Sequence, residues 1–305
     1  MTFRSFAQEW LQEMRLSIQR STWEAYTVYV NVHLVSYFGR YRLSDITSRM
    51  ISSYINEKLQ KGRSDGRGGL SEVSIRKHLS ILKQILSEAT NKGIIEHNPA
   101  LTVRRPRMPR AREYIFLAKN EARALLSGLT GDMKLIVMLA LYYGLRKSEV
   151  LGLRWCSVDF NKNTLSVNHT VVKNLTIEAK DSTKTPLSRR TYQLLPEIRE
   201  ALKERFIASC DMSSYIFSRE DGAPLRPDTV LRQFQRCAER LGFDKMRFHD
   251  LRHSCASILF DEGWSLEDVK NWLGHSDIET TSNIYLHYSA ARKVLKAESL
   301  SGLLI

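Results

Sequence analysis

The spacing of apolar residues predicts that the first hundred residues fold as successive amphipathic helices. Four apolar stripes recur at helical spacing, and the first consists of Phe3, Phe6, Ala7, Trp10, Leu11 and Met14. The second helix is predicted to open with a capping box at residues 21–24 and to continue through Trp23, Tyr26, Val30, Leu34, Tyr37 and Phe38. The third carries Met50, Ile51, Tyr54, Ile55 and Leu59. The fourth ends near Gly93 and carries Ile75, Leu79, Leu82, Leu86 and Ala89. Residues 1–103 are therefore expected to form a helical bundle.

Beyond residue 112 the pattern is mostly helical, with one interval of strand-like alternation. A half-buried strand is indicated by the alternating Leu165, Val167, His169 and Val171, and further strands flank a turn near residue 184. Helices resume at Pro196 and Pro227, and Ser265 caps a short helix that ends at Gly274. The expected fold class is mainly α with a small antiparallel sheet (α+β). It comprises a bundle at 1–103, a linker at 104–112 and a mixed domain at 113–305.

Composition adds an electrostatic expectation to this picture. The chain has 305 residues, of which 43% are hydrophobic and 26% charged, as in ordinary globular proteins. Its net charge of +13 and pI near 9.6 instead indicate a polyanionic partner, either nucleic acid or an anionic membrane surface. Residues 1–112 hold 19 Lys and Arg against 9 Asp and Glu, so most of the positive excess lies in the bundle and linker.

No segment is predicted to enter a membrane. The longest apolar run, residues 135–143, is too short to span a bilayer, and the amino terminus has no apolar signal core. The four cysteines, at positions 156, 210, 237 and 255, form neither a CxxC pair nor a disulfide framework, so we expect small buried thiols in a reducing compartment. These features favour nucleic acid as the partner and the cytoplasm as the location.

Two arginine-bearing segments are candidate phosphate contacts. The glycine-rich residues 62–69 cannot hold a helix at low entropic cost and are expected to form a flexible loop that presents Arg63 and Arg67. Residues 104–112 contain two prolines and five arginines, among them Arg104, Arg105 and Arg107, and are expected to be an extended linker. These arginines either keep the linker solvated or follow a phosphate backbone, and their density favours the second interpretation.

Three local patterns contain candidate catalytic residues. They are G-L-R-K-S-E at 144–149, H-D-L-R-H at 249–253, and L-G-H-S at 273–276 followed by Tyr285. Each has a structural explanation on its own, because an arginine after a glycine can cap a helix and a tyrosine on an amphipathic helix usually packs. The i, i+4 histidines of the second pattern also allow a metallohydrolase. However, Arg252 would place a positive charge beside the metal, and the sequence indicates no third ligand.

Taken together and in this order, the patterns resemble the tyrosine recombinase family, also called the phage integrase family, over nearly the whole chain. The resemblance implies that Tyr285 is the nucleophile. It also implies a phosphate site that consists of Arg146, Lys184, His249, Arg252 and His275. The strand register alone leaves Lys173, Lys180 and Lys184 open as the sheet lysine. Lys184 is preferred because T-K-T-P followed by S-R-R matches the family's local pattern.

These residue types fit phosphoryl transfer to a tyrosine. The attack places negative charge on the nonbridging oxygens, which two guanidiniums can hold by bidentate hydrogen bonds, so no metal or other cofactor is expected. His249 is assigned as the base, Lys184 as the acid that protonates the leaving 5′ oxygen, and His275 as a hydrogen-bond donor to the phosphate. A covalent 3′-phosphotyrosine would conserve the phosphodiester energy and permit strand exchange without ATP. Glu149 is expected to orient Arg146.

The resemblance also implies an assembly on DNA. The amino-terminal bundle would bind double-stranded core sites opposite the catalytic domain, in a homotetramer associated with the nucleoid. Residues 290–305 end in an apolar Leu-Leu-Ile and are expected to dock into a neighbouring protomer, with packing inside the same chain as the alternative. Two other functions stay open from the sequence: a noncatalytic DNA-binding regulator on the same fold, and a type IB topoisomerase.

Overall fold

The computed structural model describes residues 1–63, 65–107, 114–173, 177–180, 190–206, 212, 214–274, 281–282, 284–286 and 288–289. The described chain is mainly helical with short antiparallel strands, which confirms the expected fold class. It divides into two compact units, Met1–Arg112 and Glu113–Ile305, and each has its own apolar core. None of the helices in this described part is long and apolar enough to cross a membrane.

The first unit contains the four predicted helical regions. Its helices are α1 (Phe3–Ser17), α2 (Arg20–Val28), α3 (Val35–Phe38), α4 (Ser48–Lys61) and α5 (Glu72–Asn91). Hydroxyl side chains start three of them, because Thr2, Thr47 and Ser71 each accept a hydrogen bond from a first-turn amide. The apolar stripes meet in one core, and Gly93, with φ at +69°, follows the end of α5.

The second helical region differs from the prediction in two ways. The capping box at residues 21–24 is wrong: α2 begins earlier, its N-cap Gln19 makes no side-chain cap, and the buried Glu24 instead pairs with Arg20 at 3.0 Å. Between α2 and α3 the chain winds as a π-helix over Tyr29–Leu34. Val30 and Leu34, within this π-helix, are both buried.

Part of the linker segment lies along α5. The side-chain amide of Asn98 donates hydrogen bonds to the carbonyl of Lys83 at 2.9 Å and to Oγ of Ser87 at 2.8 Å. Farther along the chain, Nη1 of Arg76 donates to the carbonyl of Pro106 at 3.1 Å. Residues 98–107 thus run antiparallel to α5, and we call this segment the strap.

The second unit surrounds the apolar helix α7. Its helices are α6 (Lys119–Ser127), α7 (Gly131–Tyr142), α8 (Lys147–Gly152), α9 (Pro196–Phe206), α10 (Pro227–Arg240), α11 (Phe248–Asp261) and α12 (Leu266–Leu273). Pro227 occupies the first turn of α10, Ser265 caps α12, and Gly274 ends α12 at φ +66°, as the sequence predicted. Buried residues line nearly the whole of α7, so this helix forms the centre of the core.

The strands form two small sheets. They are β1 (Val158–Asp159), β2 (Thr164–Val167), β3 (Thr170–Lys173), β4 (Ile177–Lys180) and β5 (Arg190–Gln193). One antiparallel sheet has the order β1-β2-β5, and β3 pairs with β4 in the other. The single strand predicted over 165–171 is therefore wrong. The chain bends at residues 168–169, where the backbone of His169 and Thr170 lies so close to α8 that only a glycine, Gly152, fits between them.

The cysteines do not all behave as small buried residues. Cys255 is buried, as expected, but Cys237 is only half-buried and Cys156 is exposed. Cys210 lies outside the described residues.

Candidate active site

Arg146 stands at the start of α8, where a buried carboxylate orients it. Glu149, 2% exposed, accepts hydrogen bonds from the backbone N–H of Arg146 and from its Nη1, both at 2.8 Å. The Arg146 side chain is 36% exposed, so its guanidinium reaches the surface while Glu149 holds its backbone N–H and one of its terminal nitrogens. Burial alone would raise the pKa of Glu149. The hydrogen bond and charge of Arg190, with the charges of Arg146 and Arg252, nevertheless hold that pKa at about 2.

Arg252 is the more enclosed of the two predicted site arginines. It lies in the first turns of α11 with 1% of its surface exposed, and its guanidinium donates to the carbonyls of Gly144 and Leu273. These carbonyls lie two residues before Arg146 and two before His275, so Arg252 ties together the segments that lead into both. Burial, followed by the positive charge of Arg146, lowers the pKa of Arg252 to about 9. Closely spaced cations of this kind favour an anion beside them.

His249 precedes Arg252 by one helical turn. Partial burial, and then the charges of Arg252 and Arg146, lower the pKa of His249 to about 4, although the residue as a whole is exposed to solvent. At neutral pH its imidazole is therefore uncharged and able to accept a proton. The buried His253 packs edge-on against it, with ring centroids 4.8 Å apart, and Tyr114 packs edge-on against His253 at 4.5 Å.

The interpretation of the two histidines as metal ligands gains no support from the described residues. Nowhere among them do three His, Cys, Asp or Glu side chains gather as a metal site would require. His249 and His253 contact each other ring to ring.

Tyr285 lies on a segment that packs against the ends of α11 and α12. Ile284 is buried in a small apolar cluster with Phe260 and Leu273, and the Tyr288 hydroxyl donates to the Asp261 carboxylate. Tyr285 itself is 46% exposed, and its ring meets Phe260 edge-on at 5.0 Å. Ile284 and Tyr288 thus anchor this segment, while Tyr285 itself is open to solvent.

Two predicted site residues, Lys184 and His275, lie outside the described residues. Their surroundings are partly described. The alternatives Lys173 and Lys180 end β3 and β4, which pair with each other in the small two-stranded sheet. Gly274, with φ at +66°, immediately precedes His275.

One charged residue in the site escaped the sequence reasoning. Arg190, at the start of β5, has a side chain only 8% exposed, and it donates to both oxygens of Glu149, at 3.2 and 2.8 Å. The S-R-R sequence before β5 served only to locate Lys184. No motif in the sequence marks this arginine as buried, since its side chain turns toward the core only in the folded chain.

Comparisons with known proteins identify the family of this chain. The phage integrase family matches residues 115–292, and the family's N-terminal SAM-like domain matches residues 2–59. A tyrosine recombinase XerC-like protein of Caldanaerobacter subterraneus subsp. tengcongensis is 27% identical over 336 residues, which cover 100% of this chain and 84% of that protein. The Tn1549 transposon integrase in complex with a circular intermediate DNA superposes with a TM-score of 0.78 at 18% identity, over 97% of this chain and 99% of that one. A lambda integrase tetramer bound to a Holliday junction gives 0.70 at 19% identity, over 91% and 78%.

The chain belongs to the phage integrase family, the tyrosine recombinases. It is a site-specific DNA recombinase, and cleavage and rejoining of DNA through a tyrosine is the mechanism of this family.

Proposed function

We propose that this recombinase integrates or excises DNA at double-stranded core sites and that Tyr285 attacks the scissile phosphate. The observation that carries the proposal is the meeting of Arg146, Arg252 and His249 around the buried Glu149. Such a group offers two cations for the nonbridging oxygens and one neutral imidazole for the proton of the phenol. Attack by Tyr285 forms a bond to phosphorus, breaks the bond to the 5′ oxygen and leaves a 3′-phosphotyrosine.

The test of this proposal is covalent trapping on a nicked suicide substrate, from which the short strand with the free 5′ hydroxyl diffuses away. Wild-type protein should form a protein–DNA adduct, and Tyr285→Phe should form none while its affinity for DNA stays unchanged. Tyr142→Phe, at a solvent-contacting tyrosine at the end of α7, is the matched control and should keep the adduct. An adduct with Tyr285→Phe would mean another nucleophile. No adduct with wild type would favour a noncatalytic DNA-binding regulator.

Lys184 and His275 complete the proposed chemistry, with Lys184 as the acid and His275 as a donor to the phosphate. Lys184→Ala should cleave a normal substrate slowly but recover on a substrate with sulfur in place of the leaving 5′ oxygen, because a thiolate leaves without protonation. Lys173→Ala and Lys180→Ala serve as matched variants of the two rival lysines. If Lys173→Ala or Lys180→Ala, instead of Lys184→Ala, regains cleavage on the sulfur substrate, the lysine replaced in that variant is the acid.

The DNA contacts of the first unit are proposed to centre on the strap. Arg104, Arg105 and Arg107 are exposed, and burial, followed by the charge of Arg105, lowers the pKa of Lys83 on α5. A phosphate between Lys83 and Arg105 would relieve their repulsion. In the glycine-rich loop, Arg63 donates hydrogen bonds to both oxygens of Asp65. Because this contact already occupies Arg63, Arg67 is the stronger candidate for a phosphate contact in the loop.

The assembly is proposed to be a homotetramer on DNA, in which residues 290–305 of each protomer dock into the next. The lambda integrase tetramer on a Holliday junction supports the number of protomers, and the apolar Leu-Leu-Ile end supports docking. Acting on double-stranded DNA, the enzyme would be associated with the nucleoid in the cytoplasm.

A further inference from the structure

Arg190 is a buried cation that the proposed chemistry does not use. Its Nε donates to the hydroxyl of Tyr192 at 2.5 Å, and its two terminal nitrogens donate to the two oxygens of Glu149. The Tyr192 hydroxyl in turn lies 3.1 Å from the carbonyl of Tyr143, directly before the turn that carries Arg146. Two of the three guanidinium nitrogens are thus directed at the carboxylate that orients Arg146, and the third is directed at a hydroxyl that lies between the carbonyls of Tyr143 and Trp272.

Glu149 links Arg190 to Arg146. Each of its oxygens accepts one hydrogen bond from Arg190 and one from Arg146, so the carboxylate is bridged in a fork on both sides. Without Arg190, the backbone N–H and the side chain of Arg146 would be the partners that hold this carboxylate. With Arg190 opposite, its plane is determined by a buried group that belongs to another element.

Arg190 also stands where three segments of the site come together. It begins β5, directly after the segment that contains Lys184, and its strand position pairs with Val167 of β2. Its side chain packs so closely against Gly274 that a Cβ there would lie 3.1 Å from the guanidinium. Gly274 precedes His275. The same side chain thus contacts the support of Arg146 and the residue before His275.

We propose that Arg190 is a positioning residue for DNA cleavage: it fixes the Glu149 carboxylate, which in turn aims Arg146 at the scissile phosphate. This inference rests on the proposed phosphate role of Arg146. Direct contact of Arg190 with DNA is excluded by its burial, since 8% of the side chain is exposed against 36% for Arg146.

A double-mutant cycle on single-turnover cleavage tests the inference. The variants are Arg190→Gln, Arg146→Ala and their combination, each measured on the suicide substrate at saturating DNA, with binding affinity and thermal unfolding measured in parallel. Lys162→Gln, which removes a cation that is 82% exposed in the same unit, controls for net charge. Arg190→Lys keeps the charge but cannot bridge both oxygens of Glu149, and it replaces Arg190→Gln in the cycle if the latter unfolds.

Arg190→Gln should slow cleavage about 100-fold with little change in affinity, because a misplaced catalytic group costs rate more than binding. In the Arg146→Ala background the further loss should be below about 3-fold, because the group being positioned is already gone. A methylphosphonate at the scissile position removes the charge of one nonbridging oxygen. On this substrate the loss of cleavage rate caused by Arg190→Gln and the loss caused by Arg146→Ala should both become smaller. Lys162→Gln should cleave at the wild-type rate.

Equal losses in both backgrounds would overturn the inference, since Arg190 would then act independently of Arg146. Wild-type cleavage by Arg190→Gln or by Arg190→Lys would overturn it as well. Failure of the wild-type protein to form an adduct is a separate result that refutes the proposed function instead. If Arg146→Ala cleaves like wild type, the phosphate role of Arg146 and the positioning role of Arg190 are both wrong.

Discussion

At the scale of single residues, the site depends on backbone conformations that only certain residues adopt. Gly144, in the turn between α7 and Arg146, has φ at +61°, a left-handed value that costs other residues energy. A side chain there would also overlap Leu273, which is fully buried and holds the end of α12. One glycine therefore permits the close approach of the segments before Arg146 and before His275.

Gly144→Ala should destabilise the protein by about 3 kcal/mol, which combines the cost of a left-handed alanine with overpacking against Leu273. Gly222→Ala is the matched control. Its φ is +76° but no atom lies within 4 Å of the added carbon, so about 1 kcal/mol is expected. Urea unfolding of the two variants measures both values. Equal losses of stability in Gly144→Ala and Gly222→Ala would show that Leu273 moves aside without an energetic cost.

At the scale of elements, α4, α5 and the π-helix meet around one buried imidazole. Nδ1 of His78 on α5 lies 2.9 Å from the Tyr54 hydroxyl on α4, and its ring centroid lies 4.5 Å from that of His33 on the π-helix. Burial, and then the charges of His33 and Lys58, lower the pKa of His78 to about 4. Protonation of this ring would place an unpaired cation among aromatic side chains.

The first unit should therefore lose stability in acid. Unfolded His78, with a pKa near 6.5, takes up a proton before folded His78 does, so stability is complete above about pH 6.5 and falls as the pH falls toward 4. The loss from this residue should reach roughly 3 kcal/mol. Urea unfolding of a fragment of residues 1–112 between pH 7.5 and 4.5 measures it. His78→Gln should flatten the dependence of the free energy of unfolding on pH, whereas His97→Gln, at an exposed histidine, should leave it unchanged. An unchanged slope in His78→Gln would assign the acid sensitivity elsewhere.

The elements also show what the sequence could predict. Apolar periodicity located the helices of the first unit, and Pro227, Ser265 and Gly274 marked helix ends correctly, because these signals act within one or two turns. The π-helix, the bend at residues 168–169 and the role of Arg190 were not predicted. The bend and the role of Arg190 depend on tertiary contacts, with α8 at Gly152 and with Glu149, and His33 of the π-helix packs against His78 of α5. The motif residues Arg146, Glu149, His249 and Arg252 were found together because their spacing in sequence is characteristic, whereas Arg190 has no comparable motif.

At the scale of the whole molecule, the positive charge is distributed unevenly. Residues 1–112 carry 19 of the 46 Lys and Arg but only 9 of the 33 Asp and Glu. In the second unit, buried carboxylates such as Glu149 and ion pairs such as Arg205 with Asp132 balance much of the cationic charge. The nonspecific electrostatic part of DNA affinity should therefore come mainly from the first unit.

Salt titration of DNA binding tests this distribution. Replacing Arg104, Arg105 and Arg107 by Gln should weaken binding and reduce the slope of log affinity against log salt by about 2.7, or about 0.9 for each phosphate that is no longer neutralised by an arginine. A triple replacement of exposed lysines in the second unit, Lys119, Lys162 and Lys203, is the matched control and should change the slope less. Equal reductions by both triple variants would mean that the strap contributes only general charge.

The separate cores of the two units have a consequence during synthesis. All members of the first core lie before residue 104, so that unit can fold as soon as it leaves the ribosome. The 173 residues from 113 to 285 then take roughly 9 to 35 s to translate. Throughout that interval the nascent protein carries a folded, positively charged unit but no Tyr285. The positively charged first unit would therefore be available to DNA before the proposed nucleophile has been made.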